Sequence, residues 1–128
     1  FSKLLKKNKI LNFDTKPEYT EIKNYEDYEF DVVIFNHVLM YMTSAEIDIV
    51  LKKIRKINPK CEIILSLSRQ NLLSKIGMFL TLNFKAHDKT ISSYKEQLKE
   101  YEKVTLLIKK KLKVFGITDI FHSKFKND

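Results

Sequence analysis

Asn36 and His37 are the residues of this chain best placed to do chemistry, because they follow directly on the apolar run Val32-Val33-Ile34-Phe35. Open α/β sheets take ligands at the carboxyl ends of their strands, so a polar pair at such a point marks a candidate binding edge. Histidine is a residue type suited to proton transfer, with a packed or solvent-touching loop histidine as the plainer alternative for His37. Asp14 and Thr15 end a second, shorter run at Phe13. The ordinary alternative there is a turn in which the carboxylate bonds nearby amides. A third group, Phe79, Phe84, His87 and Asp88, mixes aromatic and polar side chains and suits an apolar ligand with one polar end. Its competitor is a helical insert packed on itself.

Positioning these residues requires a scaffold, and the apolar spacing outlines one. Residues 1–7 read as the last turns of a helix with lysines at its negative end. Residues 9–13 are a short strand candidate that Lys16-Pro17 prevents from continuing. The apolar run over 30–35, continuous after Asp31, predicts a strand buried on both faces of a parallel sheet, with helices covering both sides. Thr43-Ser44-Ala45-Glu46 matches a capping box, and Ile47, Val50, Leu51, Ile54 and Ile57 follow at helical spacing until Asn58-Pro59. Residues 62–67 then form the next buried strand, completing a β-α-β unit. A helix over 71–83 follows, with Gly77 as a mild penalty. A second capping box, Ser93-Tyr94-Lys95-Glu96, opens a helix to about Lys103. Residues 104–108 and 117–125 read as two strands joined through 109–116 as a long antiparallel hairpin. In the second strand Ile117, Asp119, Phe121 and Ser123 share one face.

Composition limits the functional classes. The 128 residues carry a net charge of +8, and residues 71–128 hold twelve basic side chains against six acidic ones. Arg55 and Arg69 are the only arginines, whereas phosphate and base recognition recruits arginine for its bidentate fork. A lysine-biased surface is the favoured reading, nucleic acid is disfavoured as a partner, and an RNA-binding role for residues 95–113 ranks last. Cys61 stands alone, which allows no intrachain disulfide and fits a reducing, cytoplasmic location. The apolar window over 71–84 is interrupted by Ser74, Lys75 and Gly77 and falls short of the ~20 residues of a membrane span. Phosphate-loop, zinc-cluster and nucleophile-elbow patterns are all absent.

The order strand, helix, strand, insert, helix, strand, antiparallel strand resembles the carboxyl-terminal two thirds of a class I S-adenosylmethionine (SAM)-dependent methyltransferase of the type 11/12 kind. The block Phe30-Asp31-Val32-Val33-Ile34-Phe35-Asn36-His37-Val38-Leu39 is similar to that family's fourth-strand motif. The resemblance implies an α/β fold: a partial Rossmann-like, mostly parallel sheet with flanking helices and a carboxyl-terminal antiparallel strand pair. Residues 1–128 would form one partial domain, with 69–90 as a substrate-covering insert. It implies S-adenosylmethionine as cofactor, with Asp14 accepting from the adenine amino group and Thr15 offering its backbone beside the ring. Asn36 would lie against the methionine portion, and His37 would be the catalytic helper. Tyr41 and His87 would be substrate contacts, while the residues themselves favour packing of Tyr41 beneath the loop with Met40 and Met42. The parent enzyme would transfer a methyl group to a small-molecule or lipid-like acceptor, chiefly by alignment and exclusion of water.

One part of that family's site has no counterpart. A glycine-rich turn should precede the motif and bring backbone amides close to the cofactor, yet the chain has only Gly77 and Gly116. The resemblance implies that the portion carrying this turn would precede Phe1. The chain is therefore expected to be inactive alone and to bind SAM weakly, and whether it acts as an enzyme stays open. Without that portion the strand at 31–36 would expose an unpaired apolar edge that invites association with another chain. The alternative is a non-catalytic α/β binding or interaction module that has lost the cofactor loop.

Overall fold

The computed structural model describes residues 30–80 and 90–127. The expected strand at 9–13, the candidates Asp14 and Thr15, and Phe84, His87 and Asp88 lie outside these residues.

The β-α-β unit forms as its spacing predicts. Strand β1 (Val32–Asn36) leads through a single 3-10 turn (Leu39–Tyr41) to helix α1 (Ser44–Ile57) and strand β2 (Glu62–Ser68). The capping box closes reciprocally: Thr43 N donates to Glu46 Oε2 at 2.7 Å while Glu46 N donates to Thr43 Oγ1 at 3.3 Å. Helix α2 (Leu72–Leu80) follows, then helix α3 (Tyr94–Val104), whose Ser93 and Glu96 form the second capping box. Strands β3 (Thr105–Val114) and β4 (Thr118–Phe125) end the fold.

Among the described residues the sheet has four strands in the order β1-β2-β4-β3. β1 and β2 pair in parallel, with Val33 opposite Ile63 and Phe35 opposite Leu65. β4 lies antiparallel to both β2 and β3, so β1, β2 and β3 share one direction and β4 opposes them. The expected α/β architecture, with flanking helices and a closing antiparallel pair, is the one observed.

One face of the sheet carries the core. Phe35, Ile63, Leu65, Leu67, Phe121 and Phe125 are buried there with Ile47, Leu51 and Ile54 of α1 and Tyr101 and Val104 of α3. Cys61 is fully buried at the start of β2, and burial pushes its thiol up to about 11, so it behaves as a small apolar side chain rather than a nucleophile.

Two expectations need correction. The strand at 30–35 was expected to be covered on both faces, yet Ile34 is 64% exposed and Val32 is exposed beside it. β1 ends the described sheet, and α2 meets that sheet far from it, at Ser68 through the Ser74 hydroxyl (3.4 Å) and at Ile117 beside Gly77. An apolar run reports hydrophobic content, not which neighbours arrive to cover it. The connection expected over 109–116 is also mostly strand: β3 continues through the lysines to Val114, and only residues 115–117 turn. β3 is an edge, and lysines on an edge strand discourage pairing with other chains without breaking the strand itself. Its register slips between Leu107 and Lys109 and again between Lys109 and Leu112, a second device of the same kind. Val104 closes α3 rather than opening β3.

Gly77 sits inside α2 where an added Cβ would meet only Ile117 Cδ1 at 3.9 Å, an ordinary contact. Gly77→Ala is expected to raise stability by about 0.5–1 kcal/mol in urea unfolding, because alanine lowers the entropy lost on forming the helix. A loss of stability would show that the backbone at Gly77 does something a helix interior does not require.

Candidate functional site

The parallel strands end on unusual backbone. His37, directly after β1, has φ of 55°, and its N–H donates to Ser66 O of β2 at 3.2 Å. Gln70, two residues beyond β2, has φ of 51°. Left-handed conformations are uncommon outside glycine and concentrate at sites where the surrounding structure over-determines them. The chain thus leaves both strands through sharp bends at one end of the sheet, leaving Asn36 exposed.

The loop after β1 is fastened from below. Leu39 and Met40 are buried, and the carbonyl of Met40 accepts from Ile91 N (2.7 Å) and Ser92 N (3.3 Å). Ser92 Oγ donates to Leu39 O at 2.9 Å. Met40 therefore packs under the loop as its sequence suggested, while Tyr41 reaches the surface. Asn36, His37 and Tyr41 share one short, anchored segment at the carboxyl end of β1. Asp14, Thr15 and His87 lie outside the described residues.

A second group at the same end of the sheet escaped the sequence reading. Asp119 of β4 is 1% exposed, and three side chains from three other places converge on it. Arg69 Nε donates to both carboxylate oxygens at 3.0 and 3.1 Å, Lys111 Nζ of β3 lies at 2.7 Å, and the Tyr94 hydroxyl of α3 donates at 2.5 Å. Lys111 Nζ also donates to the Tyr94 oxygen at 3.1 Å and stands 5.3 Å from the centre of the Phe121 ring. Burial alone would raise the Asp119 pKa, but the hydrogen bonds from Lys111, Tyr94 and Arg69 outweigh it and carry it down to about 2. The Tyr94 phenol moves upward through burial and its bond to Asp119, which keeps the proton it donates. One signal was legible: Asp119 shares a strand face with Phe121, an inward position for a carboxylate. Its partners lie up to fifty residues away in sequence and carry no local mark.

The two groups point to opposite faces. Asn36 pairs with Ser66, and Ser66 with Ile120, on the side away from α1 and α3. Asp119 pairs with Leu67 on the helix-covered side. Gln70 Nε2 is a buried donor with no hydrogen-bond partner, a group that ordinarily calls for a ligand or water. Among the described residues no group of His, Cys, Asp and Glu is arranged to hold a metal ion. At the end of β1 Asn36 is exposed, while the N–H of left-handed His37 is taken by Ser66 O. Gly77 within α2 and Gly116 in the β3–β4 turn do not supply a glycine cradle after a parallel strand. No helix of the described residues is long and apolar enough to cross a membrane. The chain matches no protein-family model and no curated protein.

Removing the charge of Asp119 leaves two cations facing each other beside a phenol. Asp119→Asn is expected to cost about 3 kcal/mol in chemical denaturation, at the low end for a broken buried pair because Arg69 and Lys111 can swing toward water. The sign of the pH dependence follows from a folded pKa depressed from the ordinary 3.8 to about 2. The stabilisation is fully present above pH 3.8 and fades as pH falls toward about 2. Asp119→Asn should lack that acid-induced loss, and equal acid sensitivity in both proteins would contradict the role assigned to the carboxylate.

Proposed function

We propose that this chain is the carboxyl-terminal part of a SAM-dependent methyltransferase domain whose parent transfers a methyl group to a small-molecule or lipid-like acceptor. The observation that carries the reading is the end of β1. A strand of the motif-like sequence stops at Asn36-His37, and it does so with left-handed backbone at the carboxyl end of a parallel β-α-β unit. The antiparallel β3–β4 pair that completes the sheet supports the same reading, since a closing antiparallel strand belongs to the architecture that the motif implies.

On this reading the backbone at Asn36 lies along the methionine portion of S-adenosylmethionine, and the fastened turn beneath Tyr41 holds that backbone still. When bound, the cofactor supplies an electrophilic methyl group. This chain's contribution is to seat and orient it and to border the acceptor's approach at Tyr41. On the same reading His37 takes a proton from an acceptor that must lose one. Asp14 and Thr15 remain the candidates for the adenine side, and His87 for the substrate side.

Amide NMR of the 128-residue chain titrated with S-adenosylhomocysteine tests the reading. Shifts at Asn36, His37 and Val38 are expected to move together at millimolar ligand without saturating in the micromolar range. Failure of those three amides to respond, or shifts confined to other strands, would sink the proposal.

A further inference from the structure

We infer that the β3–β4 turn and helix α2 together form a docking surface for an anionic lipid bilayer, with Phe115 as its inserting side chain. Phe115 is 86% exposed at the tip of the hairpin. Its φ is 51° and that of Gly116 is 66°, and Ile117 N donates to Val114 O at 3.0 Å. Positive φ at both central residues is the requirement of the I′ turn class, where asparagine or aspartate normally precedes the glycine. A phenylalanine there is doubly unfavourable: the backbone is strained for a bulky side chain, and the ring faces water. At 86% exposure the ring gains little from the described residues, and a medium that takes up an apolar side chain would offset both penalties.

The rest of the surface agrees in chemistry. Asn71 Nδ2 donates to Gly116 O at 2.9 Å, which ties the start of α2 to the turn, and Leu73 lies against Gly116. Leu72, at 74% exposed, and Leu73, Ile76, Leu80 and Leu112 extend the apolar surface beyond Phe115. Residues 69–80 and 105–118 hold no acidic residue. Of their cations Arg69 and Lys111 are ion-paired with buried Asp119, and exposed Lys75, Lys109 and Lys113 carry the positive charge. Exposed leucine and phenylalanine framed by lysine is the chemistry of a protein that lies in the headgroup region without spanning the bilayer, its cations drawn to acidic lipids. A second protein copy would bring the same positive charge against itself, and a nucleic acid would leave the leucines wet.

Co-sedimentation of the full chain with phosphatidylcholine vesicles, with and without one third phosphatidylserine, tests this. Binding is expected to the acidic vesicles and to be far weaker to phosphatidylcholine alone. Phe115→Asn is the decisive variant, because asparagine suits the left-handed position and should leave the melting temperature unchanged or raised while lowering vesicle affinity about tenfold. Lys113→Glu should lower it on the order of tenfold or more and make the remaining binding less sensitive to salt. Equal binding by Phe115→Asn and the parent chain overturns the proposal. So does equal binding to neutral and acidic vesicles, or pelleting without vesicles, which would assign the surface to self-association. Binding to RNA that Phe115→Asn leaves intact, with none to vesicles, overturns it in favour of a polyanion site. These readouts do not depend on cofactor binding, so this proposal and the methyltransferase reading can fail separately.

Discussion

Asp119 sits where a carboxylate can survive only in company, and the carboxyl end of the sheet is assembled to provide it. A fully buried charge without partners is not tolerated in a folded interior. Arg69 comes from the end of β2, Lys111 from β3 and Tyr94 from the first turn of α3, so satisfying one side chain fixes the relative placement of four elements. β4 could not lie between β2 and β3 in another register without dragging Asp119 away from all three. A slip of one residue would also turn it to the opposite face, beside Ile120 and Ser66. The cluster therefore acts on specificity as well as on stability, and the bends at Arg69 and Gln70 start from a rigid point.

The two outer strands of the described sheet differ in how their edges are built. β3 carries Lys109, Lys111 and Lys113 and two register shifts, and both features interfere with recruiting a further strand. β1 has no such defence: it is short, regular and apolar, with Val32 and Ile34 exposed on the side away from α1. A strand of that composition is built to have a neighbour. Within the methyltransferase reading, that neighbour is the glycine-loop strand the motif implies, which puts the cofactor seat at the junction between β1 and what adjoins it.

Features set by a few adjacent residues were legible in the sequence, and those set by distant ones were not. Thr43 with Glu46 and Ser93 with Glu96 announce their helices because a capping box is a local hydrogen-bond exchange. β1 and β2 announce themselves by apolar runs that helices of that length could not hold. The exposure of Ile34 was illegible because it depends on which element arrives to cover it. The lysine-rich half of β3 was illegible because polarity alone reads as loop, while pairing with β4 decides otherwise. Asn36 and His37 were visible as the end of a strand. The left-handed bend at His37 was not, since nothing but glycine advertises that conformation in advance.

That bend is one of four, and all four lie at the same end of the sheet. Among the described residues positive φ occurs only at His37, Gln70, Phe115 and Gly116, which follow the carboxyl ends of β1, β2 and β3. Those three strands run in one direction, so the strained backbone is gathered along a single rim rather than scattered. Each non-glycine member costs about 1–3 kcal/mol that the rest of the fold must carry. Concentrating such conformations on one rim is uneconomical for stability alone and sensible for a rim that works. The rim unites the two proposals geometrically. Phe115 and α2 would lie in the lipid headgroups, Arg69 links through Ile117 to the same turn, and His37 stands further along the same end of the sheet. A lipid-like acceptor leaving the bilayer would then meet the rim that bears Asn36 and His37 without first crossing open water, which is the condition for excluding solvent from a methyl transfer.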